Sequence, residues 1–319
     1  MLPTEFAAAI EEEISAARTP NLARAAACLT ERYRDPGTAR GPLSEGERLA
    51  YLAVRVPATF AAVGNALGRL AEAMPDFAPA SILDLGAGPG TALWAAVEVF
   101  PTLSHATAIE ADPGFHALGS RLARASGSHA VSGATWLRRD ALAGELPTAD
   151  LVVVSYAFNE LHPTTQRDLI DRAWSATAGA LVLVEPGTPA AFNGVLAARG
   201  RLLALGAHLA APCPHALPCP MEGTPSWCHF AQRLPRTRLH RQLKGGALGY
   251  EDEKFSYLAA TRHPAPNTPP RIIAPANAHK AAVELPLCTR EGTLAVEKVS
   301  RSDREDYKRA KKLEWGDGW

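Results

Sequence analysis

Residues 81–91 have the sequence Ser-Ile-Leu-Asp-Leu-Gly-Ala-Gly-Pro-Gly-Thr, an apolar run that ends in closely spaced glycines. A short apolar run of this kind predicts a buried strand, and the alanine-rich residues that follow predict a helix. Glycine lets a backbone turn tightly and approach a ligand, and the first turn of a helix offers free N–H groups. The stretch therefore predicts a strand, a ligand-binding turn and a helix, the repeating unit of an α/β sheet.

The glycine turn differs from the dinucleotide-binding pattern G-x-G-x-x-G. Gly86 and Gly88 fit that pattern, but Thr91 occupies its last position. From Asp84 to Gly90 the chain instead follows D-x-G-x-G-x-G, which resembles motif I of the class I S-adenosylmethionine (SAM) methyltransferases. The resemblance implies a bound SAM molecule at this turn, whereas a glycine turn without a ligand is the alternative.

An acidic residue follows the second predicted strand. The apolar run 105–109 ends at Glu110, and a carboxylate at that place can accept both ribose hydroxyls of an adenosyl ligand. Together with the glycine turn, this acid completes the first set of predicted cofactor residues. The set is Asp84, Gly86, Gly88, Gly90 and Glu110.

Further strands follow in alternation with helices over residues 79–200. The continuous valine and leucine runs at 150–155 and 180–185 are typical of strands that are buried on both faces. The order predicts an α/β fold with a doubly wound parallel sheet and a ligand at the carboxyl ends of its strands. By the resemblance, Asp140 lies where the family often contacts the adenine amine, with a helix N-cap as its equal alternative.

The loop that begins at Ser155 would face the transferred methyl group in a methyltransferase, so Ser155 is included among the cofactor-binding residues. Residues 155–161 lack the Asn-Pro-Pro-Tyr type of motif and contain no cysteine nucleophile. Asn159 and Glu160 either orient a substrate or hold the loop. No catalytic residue is therefore assigned.

The overall composition excludes a strongly charged protein. Lys plus Arg and Asp plus Glu both total 33, the formal net charge is zero, and 47% of the residues are hydrophobic. The apolar runs are too short to cross a bilayer, and no secretory signal is visible. We expect a cytoplasmic protein with no membrane partner, most simply a monomer.

The five cysteines fall into a group of four and a single residue. Cys213, Cys219, Cys228 and Cys288 lie in predicted loops, where a reducing compartment favours metal ligands over disulfides. Four thiolates fit tetrahedral zinc or a cubane 4Fe–4S cluster, and the cysteine–proline steps favour iron–sulfur. Unligated buried cysteines are the alternative, and Cys28 is expected to be a small buried hydrophobe.

A basic segment follows Cys228. Residues 229–244 contain five Lys or Arg side chains and no acid, which predicts phosphate binding, with a solvated face as the alternative. The predicted RNA-binding residues are Arg233, Arg236, Arg238, Arg241 and Lys244.

Local signals divide the chain into units. Ser44 and Glu47 have the spacing of a helix capping box, Pro57 should break a helix, and the runs 282–287 and 293–299 predict a β-hairpin. The expected units are an N-terminal helical region (1–78), a SAM-binding Rossmann-like domain (79–205), a four-cysteine iron–sulfur module with strands (206–292), and a C-terminal strand with a basic tail (293–319).

These features together resemble one family, the methyltransferase-like proteins of the small ribosomal subunit. The resemblance is carried by residues 84–90, the group of four cysteines, and the stretches 227–230, 251–257 and 315–317. It implies a class I SAM fold, a 4Fe–4S cluster, and binding to small-subunit rRNA during ribosome assembly.

Three functions are compatible with the residues. The first is a SAM-dependent rRNA methyltransferase, and the second is a catalytically inactive assembly factor that uses the SAM fold as a binding module. The third is a zinc-containing SAM methyltransferase of another substrate, which the basic segment disfavours.

Overall fold

The central element of the fold is an eight-stranded sheet. The computed structural model describes residues 1–17, 21–34, 43–244 and 248–319. The first five strands are mutually parallel in the order β3-β2-β1-β4-β5, which confirms the predicted sheet. They are β1 (Ser81–Leu85), β2 (His105–Ile109), β3 (Thr135–Leu137), β4 (Ala149–Ser155) and β5 (Thr177–Pro186).

The sheet is mixed on its other side and continues past residue 205. Strands β6 (His208–Ala211), β7 (Phe230–Pro235) and β8 (Tyr250–Thr261) complete it. β8 lies between β5 and β6 and runs antiparallel to β5, β6 and β7. The long β8 is therefore shared between the parallel sheet and the region that carries the cysteines, and the division into units stays a prediction.

Helices cover both faces of the sheet, as a doubly wound fold requires. Val153 of β4 packs in the core that contains the N-terminal helices, whereas its neighbour Val152 packs in the core on the opposite face. The helices that follow the sheet strands are α5 (Thr91–Val99), α6 (Pro113–Arg124), α7 (His129–Ser132), a short 3-10 turn (Phe158–Glu160), α8 (Pro163–Ala176) and α9 (Pro189–Ala204).

Two of the N-terminal helices, α3 and α4, begin at the local signals that the sequence shows. Ser44 and Glu47 form the predicted capping box at the start of α3, and Pro57 lies in the first turn of α4. α3 and α4 meet at an angle of 50°. The helices are α1 (Thr4–Ala16), α2 (Leu22–Arg34), α3 (Glu45–Val54) and α4 (Val56–Ala73).

A second, smaller sheet contains the predicted hairpin. β11 and β12 pair antiparallel from Ala282 with Ser300 to Cys288 with Leu294, so Cys288 ends its strand beside the turn. The remaining elements are α10 (Arg238–Lys244), β9 (Arg271–Ile272), β10 (Asn277–Ala278), β11 (Ala282–Cys288), β12 (Leu294–Ser300) and α11 (Arg304–Ala310).

In the part of the chain that the structure describes, no single helix is long and apolar enough to cross a membrane. The bent pair α3–α4 meets the length and composition test only when its two helices are taken together.

Candidate functional site

The glycine turn at the end of β1 adopts a conformation that favours glycine. Gly86, Gly88 and Gly90 have φ angles of +71°, +55° and +82°. A Cβ atom added to Gly86 would lie 2.6 Å from the Cβ of Ala157, in the loop that follows β4. The turn is therefore packed directly against the loop in which a methyl acceptor would be expected.

Glu110 lies against this turn, where the sequence analysis placed it. Its Oε2 accepts a hydrogen bond from the Gly88 amide at 2.7 Å, and its Oε1 accepts one from the Asp112 amide at 2.7 Å. Burial raises the pKa of Glu110, although both amide bonds act to lower it. The fold thus holds an acid beside the turn, and its contact with a ribose stays a prediction.

Asp84 is fully buried near the end of β1, two residues before the turn begins at Gly86. Neither carboxylate oxygen has a hydrogen-bond partner among the described residues. Burial, and then the charge of Glu110, raises the pKa of Asp84 to about 8. A buried carboxyl without a partner calls for an explanation, and the positively charged amino and sulfonium groups of SAM are suitable partners. The carboxyl groups of Asp84 and Glu110 at this turn therefore fit a cationic cofactor such as SAM.

The other two predicted cofactor residues are Asp140, three residues after β3, and Ser155, at the carboxyl end of β4. Asp140 is exposed, and its Oδ1 accepts a hydrogen bond from the Leu142 amide at 2.8 Å, so it caps a turn. Ser155 is the last residue of β4 and is half-buried. The contacts of Asp140 and Ser155 with a cofactor stay predictions.

The loop after β4 is held by side chains from distant parts of the chain. Tyr156 has a φ of +56°, which is rare for a bulky residue. Its hydroxyl donates to Oε1 of Glu253 at 3.0 Å, and the Arg55 guanidinium lies 5.6 Å from its ring and 3.4 Å from the same oxygen. Sequence reasoning missed the role of Glu253, because 97 residues separate it from Tyr156 and no local pattern links them.

Glu185 fixes the same loop from below. It is fully buried at the end of β5 and accepts hydrogen bonds from the amides of Phe158 at 3.0 Å and Asn159 at 3.1 Å. Burial raises the pKa of Glu185 to about 8 despite these bonds. The backbone of Asn159 therefore holds the loop, one of the two roles considered for it.

Glu160, next in the loop, is accessible to solvent and yet has a raised pKa. Desolvation by the surrounding protein is the main cause, and the charge of Glu110 is the second.

The fold gathers the four distant cysteines around one narrow, largely apolar cavity. Cys213, Cys219, Cys228 and Cys288 all line it, and the Sγ of Cys288 lies 3.4 Å from Nε2 of His215. The predicted grouping is thus present. Within residues 1–17, 21–34, 43–244 and 248–319, however, no three His, Cys, Asp or Glu side chains are arranged to hold a metal ion.

Burial and mutual proximity determine the protonation of these thiols. Burial raises the pKa of Cys213, Cys228 and Cys288, and the neighbouring cysteines raise it further, for Cys288 to about 12. The sulfur atoms therefore affect one another's ionisation, and a bound metal cation would favour their thiolate forms.

Cys28 lies apart from this group and is exposed on α2. The prediction that it is buried was wrong. Ala26 and Leu29 occupy the buried face of the helix, and Cys28 points away from them.

The basic segment is divided between β7 and α10, and acids on β8 neutralise part of it. Arg233 forms a two-bond ion pair with Asp252 at 2.7 and 2.9 Å, and Arg236 pairs with Glu251 at 3.1 Å. The segment itself contains no acid, but its arginines pair with acids of the neighbouring strand β8. The local sequence does not show this, because it does not reveal that β7 pairs with β8.

Three predicted RNA-binding residues belong to α10. Arg241 is exposed and forms no ion pair with a described residue. The side chains of Arg238 and Lys244 lie outside the described residues.

The strand order with its reversed β8, the glycine turn and the acid after β2 define the class of protein. It is an α/β protein with the class I SAM methyltransferase-like fold. The chain belongs to the Rsm22 family, since the family model described as mitochondrial small ribosomal subunit Rsm22 matches residues 45–319.

Two curated relatives are similar over most of this chain. The human ribosome assembly protein METTL17, mitochondrial, is 28% identical, over 86% of this chain and 62% of its own length. The Rsm22-cox11 tandem protein 2, mitochondrial, of Schizosaccharomyces pombe is 26% identical, over 91% and 45%. The chain thus spans less than two thirds of the length of these relatives. Both are named as mitochondrial, and the cytoplasmic location expected for this chain stays a prediction.

Solved methyltransferase structures resemble the chain more distantly. The magnesium protoporphyrin IX methyltransferase of Synechocystis has a TM-score of 0.44 at 11% identity and covers 73% of this chain and 94% of its own. The precorrin-6y C5,15-methyltransferase of Geobacter metallireducens has a TM-score of 0.40 at 15% identity and covers 61% and 86%. The fold assignment depends on the strand order and not on these superpositions.

We predict that Asp84→Asn stabilises the cofactor-free protein at alkaline pH. In the folded chain Asp84 keeps its proton up to a pH of about 8, whereas in the unfolded chain it loses the proton near pH 4. Asp84 in the wild type therefore contributes a loss of stability as the pH rises from about 4 to about 8. The variant should melt several degrees higher than wild type at pH 8 and at nearly the same temperature at pH 4.

The measurement is thermal unfolding at a series of pH values without SAM. Asp76→Asn, at an exposed position before β1, is the control and should follow the wild type. A variant that is less stable than wild type at pH 8 would show that Asp84 is ionised and paired in the folded protein.

Proposed function

We propose that this chain is a SAM-binding, iron–sulfur-containing methyltransferase-like protein that acts on the small ribosomal subunit by binding its rRNA during assembly. The proposal rests on membership of the Rsm22 family together with an intact glycine turn and its buried acids. The human relative is itself named a ribosome assembly protein. Because SAM is a methyl donor, the proposed function includes methylation of the rRNA as a further activity.

The acids at the turn support SAM as the ligand. SAM carries a sulfonium and an ammonium group, and opposite charges nearby favour the ionised form of a carboxyl. In the proposed complex Glu110 accepts hydrogen bonds from the ribose hydroxyls. The cationic groups of SAM favour the ionised, negatively charged form of Asp84. An uncharged adenosine ligand would leave Asp84 without a charged partner.

A second candidate, an assembly factor without catalytic activity, is favoured by the loop after β4. The Tyr156 hydroxyl already donates to Glu253, and the amides of Phe158 and Asn159 already donate to Glu185. This loop is therefore held by hydrogen bonds to the protein itself. Methyl transfer depends mainly on the positioning of an in-line nucleophile and needs no dedicated acid or base. The cofactor site is therefore the same in both candidates, and only methyl transfer distinguishes them.

The cysteine cavity supports a metal centre as the second cofactor. Four thiolates, from Cys213, Cys219, Cys228 and Cys288, would hold a 4Fe–4S cluster, with zinc as the alternative. The centre would join the loop before β7 to the hairpin of the second sheet, and binding of the metal would be coupled to the folding of this region.

We predict that SAM binds to the glycine turn and that Glu110→Ala weakens it. Loss of a charged hydrogen-bond acceptor should reduce the binding free energy by about 1.5–3 kcal/mol. The measurement is isothermal titration calorimetry of SAM into both proteins. Glu98→Ala, on the exposed face of α5, is the control and should bind as the wild type does. Equal affinities for wild type and Glu110→Ala would remove Glu110 from the site.

The same proteins separate the two candidate functions. SAM that is labelled on its methyl group is incubated with the protein and naked small-subunit rRNA. Label that reaches the rRNA with the wild type but not with Glu110→Ala identifies an enzyme. Binding of SAM without any transfer identifies the inactive assembly factor.

We predict that anaerobically purified protein contains about four iron and four sulfide ions per chain. Cys228→Ser should lose most of both, because it removes one ligand of the cluster. Cys28→Ser is the matched control, since Cys28 is exposed and distant from the cavity in the described structure. One zinc per chain without sulfide would replace the cluster by a zinc site, and metal that survives Cys228→Ser would contradict the four-cysteine centre.

We predict that α10 contributes to rRNA binding. Replacing an arginine that contacts a phosphate should lower the slope of log affinity against log salt by about 0.7–0.9. Arg241→Ala should therefore weaken binding and flatten this slope, since its side chain is exposed. Gln242→Ala on the same helix is the neutral control. A slope for Arg241→Ala that equals the wild-type slope would exclude Arg241 from the RNA contacts.

A further inference from the structure

Two buried arginines line the cysteine cavity without a carboxylate partner among the described residues. Arg199 of α9 is 6% exposed and Arg271 of β9 is 3% exposed. Neither forms an ion pair with an Asp or Glu side chain in the described ranges. Other arginines of this chain, such as Arg48 and Arg201, pair with carboxylates through two hydrogen bonds.

The hydrogen bonds of Arg199 go to neutral backbone groups. Its Nη2 donates to the carbonyl oxygens of His215 at 3.0 Å and Leu217 at 2.7 Å. Its Nε is buried and has no partner among the residues that the structure describes. Arg199 thus fixes the loop between Cys213 and Cys219 without having its charge balanced.

Arg271 acts in the same way from the other side of the cavity. Its Nε donates to the carbonyl oxygen of Pro212 at 3.1 Å, and its Nη1 donates to that of Gly316 at 2.8 Å. One guanidinium therefore connects the start of the cysteine loop to the C-terminal tail. Carbonyl oxygens satisfy its hydrogen bonds, but they do not neutralise its charge.

A buried charge is unfavourable unless an opposite charge lies nearby. Both arginines line the same cavity as the thiols of Cys213, Cys219, Cys228 and Cys288. The geometry therefore places two positive charges beside four groups that become negative when they lose their protons.

The charges balance for a metal centre held by four thiolates. Four thiolates around Zn²⁺ carry a net charge of about −2, and so do four thiolates around a 4Fe–4S core in its oxidised resting form. Two guanidinium groups supply the opposite charge. A centre with fewer thiolates would leave at least one buried arginine uncompensated.

We propose that Arg199 and Arg271 are the counter-ions of an anionic four-thiolate centre and position the chain segments that carry it. This inference rests on the metal centre of the proposed function. It adds that retention of the metal depends on two residues that do not bind it. It also adds that Arg271 connects the centre to the C-terminal tail through Gly316.

The test measures how firmly the metal is held by full-length protein purified without oxygen. Arg199→Gln and Arg271→Gln remove each charge, and Arg199→Lys and Arg271→Lys keep it. After a challenge with the chelator EDTA, we expect the metal of each Gln variant to be lost at least about tenfold faster than that of the wild type, since mutation of residues that support metal ligands lowers metal affinity by about 10–100-fold. Each Lys variant should lose its metal at a rate close to that of the wild type.

Arg262→Gln is the matched control. Arg262 is partly buried and also donates to backbone carbonyl oxygens, those of Thr177 at 2.8 Å and Trp174 at 2.6 Å. It does not line the cysteine cavity. Its variant should lose metal at the wild-type rate, which separates a local charge effect from the general loss of a buried arginine.

Several results would overturn the proposal. Gln variants that hold metal as wild type does would remove the counter-ion role, while the metal centre itself would stand. Lys variants that lose metal as fast as the Gln variants would show that hydrogen-bond geometry, and not charge, is decisive. If the Cys228→Ser variant contains as much metal as the wild type, both the four-cysteine centre and this proposal are overturned. Circular dichroism of each variant shows whether it folds. If a Gln variant does not fold, the metal-loss rate of the Lys variant at the same position tests the proposal.

Discussion

The candidate cofactor site depends on the Glu110 carboxylate. One of its oxygens binds the amide of Gly88 in the glycine turn, and the other binds the amide of Asp112. Asp112 in turn caps α6 at the Phe115 amide and accepts two hydrogen bonds from Arg48 of α3. Glu110 thus connects the turn to Asp112, and the Asp112 carboxylate connects the start of α6 to the N-terminal helices.

Strand β8 plays the corresponding role for the other half of the molecule. Its Glu251, Asp252 and Glu253 pair with Arg236, Arg233 and Arg55, respectively. Further along the strand, Tyr257 lines the cysteine cavity. One continuous strand therefore contacts the loop after β4, the basic segment and the cysteines. Ordering of the cysteine region by a metal would consequently support the strand that also holds the loop facing the cofactor turn.

The distribution of charge follows two different rules on the two sides of the molecule. Near the glycine turn, no cationic side chain of the described residues pairs with the buried acids Asp84 and Glu185, and burial raises the pKa of both to about 8. Near the cysteines, the buried side chains of Arg199 and Arg271 form no ion pair with an Asp or Glu in the part of the chain that the structure describes. Buried charges of one sign are unfavourable by themselves. The acidic site is therefore suited to a cationic ligand, and the basic site to an anionic one.

Much of the fold could be predicted from the sequence, because local patterns determine it. The apolar runs predicted the parallel strands, and the spacing of Ser44 and Glu47 predicted the start of α3. The glycine turn follows β1 as predicted, and Glu110 follows β2. Each of these features depends on residues that are neighbours in the chain or lie at the end of a predictable strand. The repeated strand–helix order then determines which strand ends meet.

Other features depend on contacts between distant residues, and only the tertiary structure decided them. The exposure of Cys28 depends on which face of α2 is covered, and the neutralisation of Arg233 depends on the pairing of β7 with β8. The positions of Arg199 and Arg271 beside the cysteines depend on the convergence of α9, β9 and the cysteine loop. The sequence by itself thus determined the elements and the cofactor turn, because those signals are local. Tertiary structure alone decided which charges meet, because Coulomb interactions depend on distance in space and not on separation along the chain.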